Sequence, residues 1–211
     1  MTSFQGIPAG AFAFYAELED NNNREWWLEH KDSYNTLVRD PLTALFAELE
    51  PRFGPGKIFR PNRDIRFSQG KSPYKTAQGA FASTREGMGY YLQLNADGLH
   101  VGGGYHSHTP AQLARFRNAV DASGTGESLR HIVEAVAAAG FDIGGEKLKT
   151  VPRGYDRDHP RAELLKHKSL SAGMELGEPE WLETPRAVQE IAALWEKLRP
   201  LVDWVSRHAA P

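Results

Sequence analysis

The chain has 211 residues, 40% of them hydrophobic and 25% charged, with a formal net charge of −2 and no cysteine. A chain of this length can bury a sufficient core without staples, and the lack of cysteine excludes disulfides, thiolate nucleophiles, iron–sulfur clusters and cysteine zinc sites. Met1-Thr-Ser-Phe-Gln-Gly-Ile7 has neither a basic nor an apolar signal region, and no run approaches the ~18 apolar residues of a membrane span, so a cytoplasmic protein without a membrane partner is expected.

A short helix is predicted over Gly6–Leu18, with Phe12, Phe14, Tyr15 and Leu18 apolar. Asn22, followed three residues later by Glu25, reads as the capping box of a second helix that carries Trp26, Trp27, Tyr34, Leu37 and Val38. Pro41 should stop or kink that helix, because a proline disfavours the helical conformation of the residue before it. It should also open the next one, with Leu42, Leu45, Phe46 and Leu49 at helical spacing. Pro51, Gly54, Pro55 and Gly56 end it.

The middle of the chain reads as β. Residues 64–68 and 79–84 are strand candidates, and Tyr90, Leu92 and Leu94 alternate up to the turn Asn95-Ala-Asp-Gly98, after which Leu99 and Val101 alternate again, as in a hairpin. Thr109, Pro110 and Gln112 supply cap, first residue and third residue of a helix containing Leu113, Phe116 and Val120. Another helix carries Leu129, Ile132, Val133 and Val136 and closes at Gly140. Residues 141–148 suggest a tight hairpin, and Leu170, Ala172, Met174 and Leu176 alternate as a strand. Thr184 and Pro185 open a last helix with Val188, Ile191, Trp195, Leu198, Val202 and Val205 on one stripe, which Pro200 should kink or split. The expected class is α+β, a mostly antiparallel central sheet packed by N-terminal, middle and C-terminal helices. No Gly/Ser or Pro-rich linker divides the chain, so one domain over residues 1–211 is expected.

Charge is unevenly spread. Residues 57–75 carry +5 and residues 147–168 carry +4, which leaves −11 on the remainder. A basic patch on an acidic body with a sequence pI near 6.5 fits a small anionic ligand better than bulk nucleic acid, whose binding domains usually have a pI above ~9.

Four segments carry a family resemblance: Asn21-Asn-Asn-Arg-Glu-Trp-Trp27; Arg63-Asp-Ile-Arg-Phe-Ser68 with Lys71-Ser-Pro-Tyr-Lys75; Gly89-Tyr-Tyr91 running into Gly102-Gly-Gly104; and Leu148-Lys-Thr-Val-Pro-Arg-Gly154 with Asp158-His-Pro160. In content and order they resemble the conserved hypothetical family known as domain of unknown function 2461. The resemblance spans nearly the whole chain and implies no established activity.

Three constellations could carry chemistry. The first is Arg60, Arg63, Asp64, Arg66, Lys71, Tyr74 and Lys75: arginine forks suit phosphate or carboxylate, and Asp64 is the only acid among them, although single surface cations are usually just solvated. The second is Lys147, Lys149, Arg153, Asp158, His159, Lys166, His167 and Lys168, where Asp158 or His159 caps a short helix at Pro160 or Asp158 orients His159 as a base. The third is His100, Gly102, Gly104, His106 and His108, which share one face if the strand stays extended. With Gly103 its glycines mark a bulge or the close approach of a ligand or of another backbone. It lacks the ending of a P-loop and the third glycine of a dinucleotide fingerprint. A structural metal site takes about four ligands, so no metal and no cofactor are expected.

The expected site is one cleft binding a phosphorylated or carboxylated ligand through Arg63, Asp64, Arg66, Lys71, Lys75, Gly102, Gly103, Gly104 and Arg153. If metal-free acid–base or hydrolytic chemistry follows, His159 with Asp158 is the base and Tyr74 the acid. The alternatives are a non-catalytic nucleic-acid binder that uses the same cations and a protein-interaction module.

Overall fold

The computed structural model describes residues 3–64, 72–106 and 109–209, with only the backbone of Thr84. Helix α1 spans Gly10–Asp20 and buries Phe12, Phe14, Tyr15 and Leu18. Helix α2 spans Arg24–Tyr34, and its cap is Asn23, not Asn22: the Asn23 side chain accepts from the Trp26 N–H at 3.0 Å. Asn22 is occupied elsewhere, as described below.

Pro41 neither stops nor separates the helices. A π-turn over Asn35–Arg39 links α2 directly to α3, Asp40–Phe53. In it the Asp40 N–H reaches back five residues to the Asn35 carbonyl. The wider turn relieves the clash between a proline ring and the carbonyl four residues behind it, so Asp40 keeps helical angles (φ −67°, ψ −44°).

The strands are β1 (Gly56–Ile58), β2 (Ala77–Arg85), β3 (Met88–Asn95), β4 (Gly98–Tyr105), β5 (Asp142–Gly144) and β6 (Leu170–Gly177). They form one antiparallel sheet in the order β1-β2-β3-β4-β6-β5, and the fold is α+β. The strand expected over 64–68 falls mostly outside the described residues. The hairpin expected over 141–148 does not form: β5 pairs with β6 instead, Ile143 opposite Ala172. Helices α4 (Pro110–Asp121) and α5 (Ser123–Ala138) follow β4. The capping box of α4 is made as its sequence requires, with Thr109 and Gln112 exchanging bonds at 2.8 and 3.3 Å. Helix α6 is a single turn, Ala162–Leu165, and α7 runs unbroken over Ala187–His208. Pro200 lies on the exposed side of α7, where water can serve the carbonyl that loses its bond, so the helix continues through it.

The chain clusters into two compact units, one of Met1–Ala82, Tyr91–Val101 and Glu175–Ala192, the other of Ser83–Tyr90, Gly102–Met174 and Ala193–Pro211. In the first, Phe14 gathers Tyr15, Trp26, Trp27 and Tyr34 at ring distances of 5.4–6.0 Å. In the second, Tyr90 of β3 stacks on Trp195 of α7 at 5.3 Å. Gly103 of β4 admits this helix: a Cβ there would stand 3.3 Å from Leu198. Ile191, Trp195, Leu198, Val202 and Val205 are buried, and Val188 is half-buried.

Trp195→Ala should destabilise the protein by about 3–5 kcal/mol through the cavity it leaves. Chemical denaturation checks this, and an unchanged midpoint would refute the packing described.

Candidate functional site

The first basic segment begins as a β-ladder. β1 pairs with β2, Ile58 opposite Ala80, and the Phe59 N–H continues the ladder to the Gly79 carbonyl. The next bonds join Lys75 to Pro61 and Arg63 to Pro73, so one strand has advanced by two residues and its partner by four. The extra residues form a bulge, and Gln78 lies within it, 1% exposed. Its amide donates to the Phe59 carbonyl at 2.7 Å, while its oxygen accepts from the Tyr34 hydroxyl at 2.7 Å. The bulge withdraws backbone partners, and the glutamine replaces them, as burial of a carbonyl demands.

Past the bulge, Tyr74 pairs with Asn62 as an isolated bridge. Asn22 holds the Tyr74 backbone from the other side: its amide donates to the Tyr74 carbonyl at 3.0 Å and its oxygen accepts the Tyr74 N–H at 3.1 Å. The Tyr74 ring stacks on Trp27, centroids 4.2 Å apart and planes 12° apart. Its hydroxyl makes no hydrogen bond with any described residue.

These contacts enclose a cleft of about 460 Å³. One wall is helical: Trp27, Leu28, Lys31, Tyr34, Asn35 and Arg39. The facing wall is Ile58, Phe59, Arg60, Pro61, Asn62 and Tyr74. The floor is aromatic and apolar, and Leu28, 60% exposed, stands at the rim. Lys31, Arg39 and Arg60 are exposed and make no side-chain ion pair or hydrogen bond with a described residue. No carboxylate lines the cleft among the described residues. Burial raises the pKa of the Tyr34 phenol and the nearby Arg39 charge opposes that shift, so Tyr34 stays a neutral donor to Gln78.

Of the residues singled out in the first basic segment, Tyr74 and Arg60 line this cleft. Lys75 reaches the Arg60 carbonyl at 3.1 Å and lies over the Phe59 ring. Arg63 and Asp64 are exposed beside Asn62. Arg66 and Lys71 lie outside the described residues. Lys31 and Arg39 were not foreseen. Their only sequence signal is helical spacing with Leu28 and Asn35, which any solvated helix face also shows.

The other expected residues, Gly102, Gly103, Gly104, Arg153, Asp158 and His159, belong to the second unit. Gly102, Gly103 and Gly104 are buried. Leu198 packs over Gly103, and Gly104, at φ +133°, lies against the Leu170 and Ser171 backbone. Here the bare backbone admits a helix and a neighbouring strand. Arg153 is exposed.

His159 does not pair with Asp158. Its Nε2 faces Asp121 at 3.2 Å, and its Nδ1 accepts the Arg161 N–H at 3.0 Å. Both ring nitrogens of His159 thus have protein partners. Asp158 caps no helix, and its own N–H is held by Asp156 at 2.9 Å. Arg161 caps instead, closing the C-terminus of α4 by donating to the Val120 and Asp121 carbonyls, each at 2.7 Å. Nearby cations are neutralised within the unit: Arg130 by Glu127 and Glu134, Lys166 by Glu163, Lys168 by Glu146. A cavity of about 360 Å³ beside His159 is thus lined by charges already satisfied. Of the histidines in the third constellation, His100 donates to Glu175 at 2.7 Å, His106 is exposed and His108 lies outside the described residues. No described helix is long and apolar enough to cross a membrane.

Two outcomes follow from these contacts. Gln78→Leu should cost about 1–3 kcal/mol by stranding the Phe59 carbonyl and Tyr34 hydroxyl, and denaturant titration with an unchanged midpoint would contradict the keystone role. His167 is buried, donates from Nδ1 to the Ser169 carbonyl at 2.8 Å, and has its pKa lowered chiefly by desolvation. The unfolded chain therefore takes up this proton first as pH falls. The protein keeps its full stability above the ordinary imidazole value of about 6.5 and loses it below. His167→Asn, which keeps a donor near the Nδ1 position, should flatten the fall in stability as the pH drops below about 6.5. A slope equal to the parent's would assign the acid sensitivity elsewhere.

No curated protein and no solved structure matches the chain. The family model described as "Conserved hypothetical protein (DUF2461)" matches residues 10–204, a stretch that contains both walls of the cleft, and the chain belongs to that family.

Proposed function

We propose that the protein binds a small phosphorylated or carboxylated ligand in the cleft between the Trp27–Arg39 helical wall and the Ile58–Tyr74 wall. One observation carries the reading: Lys31, Arg39 and Arg60 line a cleft of rings, aliphatic side chains and two asparagines, with no carboxylate among the described residues to neutralise them. Cations grouped in this way raise the local potential and favour an anion between them. Tyr74, held at the wall through its backbone by Asn22 and through its ring by Trp27, adds a hydroxyl to the cleft. Arg63 and Lys75 flank Asn62 and Tyr74 and add to the same potential, and Arg66 and Lys71 belong to the same basic segment. The volume suits a ligand of ordinary small-molecule size.

A single-stranded nucleic acid is less well served. Base stacking needs open ring faces, and the Trp27 and Tyr74 faces are spent on each other. The sequence pI of about 6.5 points the same way.

Phosphate or sulfate should raise the melting temperature beyond chloride at equal ionic strength. A ligand at a hundred times its Kd contributes about 2.7 kcal/mol, or roughly 5–10 °C for a chain of this size. Arg60→Gln should shrink that increment with little effect on stability without ligand. If phosphate, sulfate and chloride act alike on the parent, the cleft is not an anion site.

A further inference from the structure

We infer, on the strength of the cleft reading above, that the ligand is two-headed: an apolar body with an anionic group at each end, lying along the helical wall. The placement of the cations carries this. Leu28, Lys31, Asn35 and Arg39 succeed one another at steps of three and four, so they share one face of the continuous rod formed by α2 and the π-turn. Arg39 lies eight positions after Lys31, which at the α-helical rise sets their backbones at most about 12 Å apart. Tyr34 and Asn35 occupy the interval.

The facing wall distinguishes the two ends. Tyr74 stacks on Trp27 and is gripped by Asn22, so Tyr74 and its bridge partner Asn62 belong to the Lys31 end. From there the wall runs back through Arg60 to Phe59 and Ile58, the stretch tied to Tyr34 through Gln78. One end thus offers Lys31, Arg60, Asn62 and the Tyr74 hydroxyl. The other offers Arg39. Between them the lining is Tyr34, Asn35, Ile58 and Phe59, mostly ring and aliphatic surface with no acid among the described residues.

A ligand with one anionic head would satisfy one end and leave the other cation bare. A purely polar polyanion would leave the apolar middle wet, which forfeits the burial that a rigid cleft provides. A body with apolar length and two terminal charges matches both features.

Isothermal titration with matched probes tests this. Sebacate, whose extended carboxylates span about the required distance, is compared with decanoate, and an alkyl bisphosphate with the corresponding monophosphate. The two-headed member of at least one pair should bind at least tenfold more tightly than its one-headed partner. Arg39→Gln should remove that advantage, since one salt-linked contact is worth roughly a factor of ten. The carboxylate and phosphate pairs distinguish which head the site takes. If each one-headed probe binds as tightly as its two-headed partner, the site has a single anion subsite: this inference falls and the anion-binding reading stands. If no probe binds and phosphate leaves the melting temperature unchanged, both fall together.

Discussion

The buried amide of Gln78 joins the two walls on which the cleft depends. A ladder that shifts by a bulge leaves the Phe59 carbonyl without its strand partner, and a tyrosine turned inward from α2 brings a hydroxyl that also needs one. A single side chain serves both, donating to Phe59 and accepting from Tyr34. In a low-dielectric interior such a bridge is strong when complete and costly when broken. It fixes the spacing of the helical and strand walls, and the aromatic stack of Trp27 on Tyr74 then closes one end.

The two basic segments show how the same residue types reach different ends. In the second unit several charges near His159 find a protein partner: Arg161 closes a helix, and Lys166 and Lys168 meet glutamates. Those groups contribute to structure, and their paired state leaves little for a ligand to gain. In the first unit Lys31, Arg39 and Arg60 line a space shared with rings, aliphatic side chains, Asn35 and Asn62, with no carboxylate among the described residues. Charges held near one another without neutralisation cost self-repulsion that an arriving anion removes. The contrast directs the functional reading to the first unit.

Local rules were legible wherever residues a few positions apart decide the outcome. Thr109 with Gln112, the turn at Asn95–Gly98 and the apolar stripe of α7 each follow from spacing and side-chain chemistry alone. The same rules misplaced a cap by one residue, because Asn22 and Asn23 are equally good caps and only the demand of Tyr74 for Asn22 settles the choice. They also overstated Pro41 and Pro200, since a π-turn and an exposed helix face each absorb a missing N–H.

From the sequence alone came the α+β class, the helix and strand faces that are buried, the family, and the concentration of positive charge between residues 57 and 75, because all of these reside in composition, period and local order. The tertiary structure alone decided which charges are partnered. Asp121 reaches His159, Arg161 reaches Val120, and Leu198 covers Gly103 across long separations in sequence. It also brought Lys31, Arg39 and Arg60 to one cleft, a relation that depends on a bulge and a sheet register. A solvated cation and a ligand-facing one look alike along the chain, since what separates them is the wall on the other side.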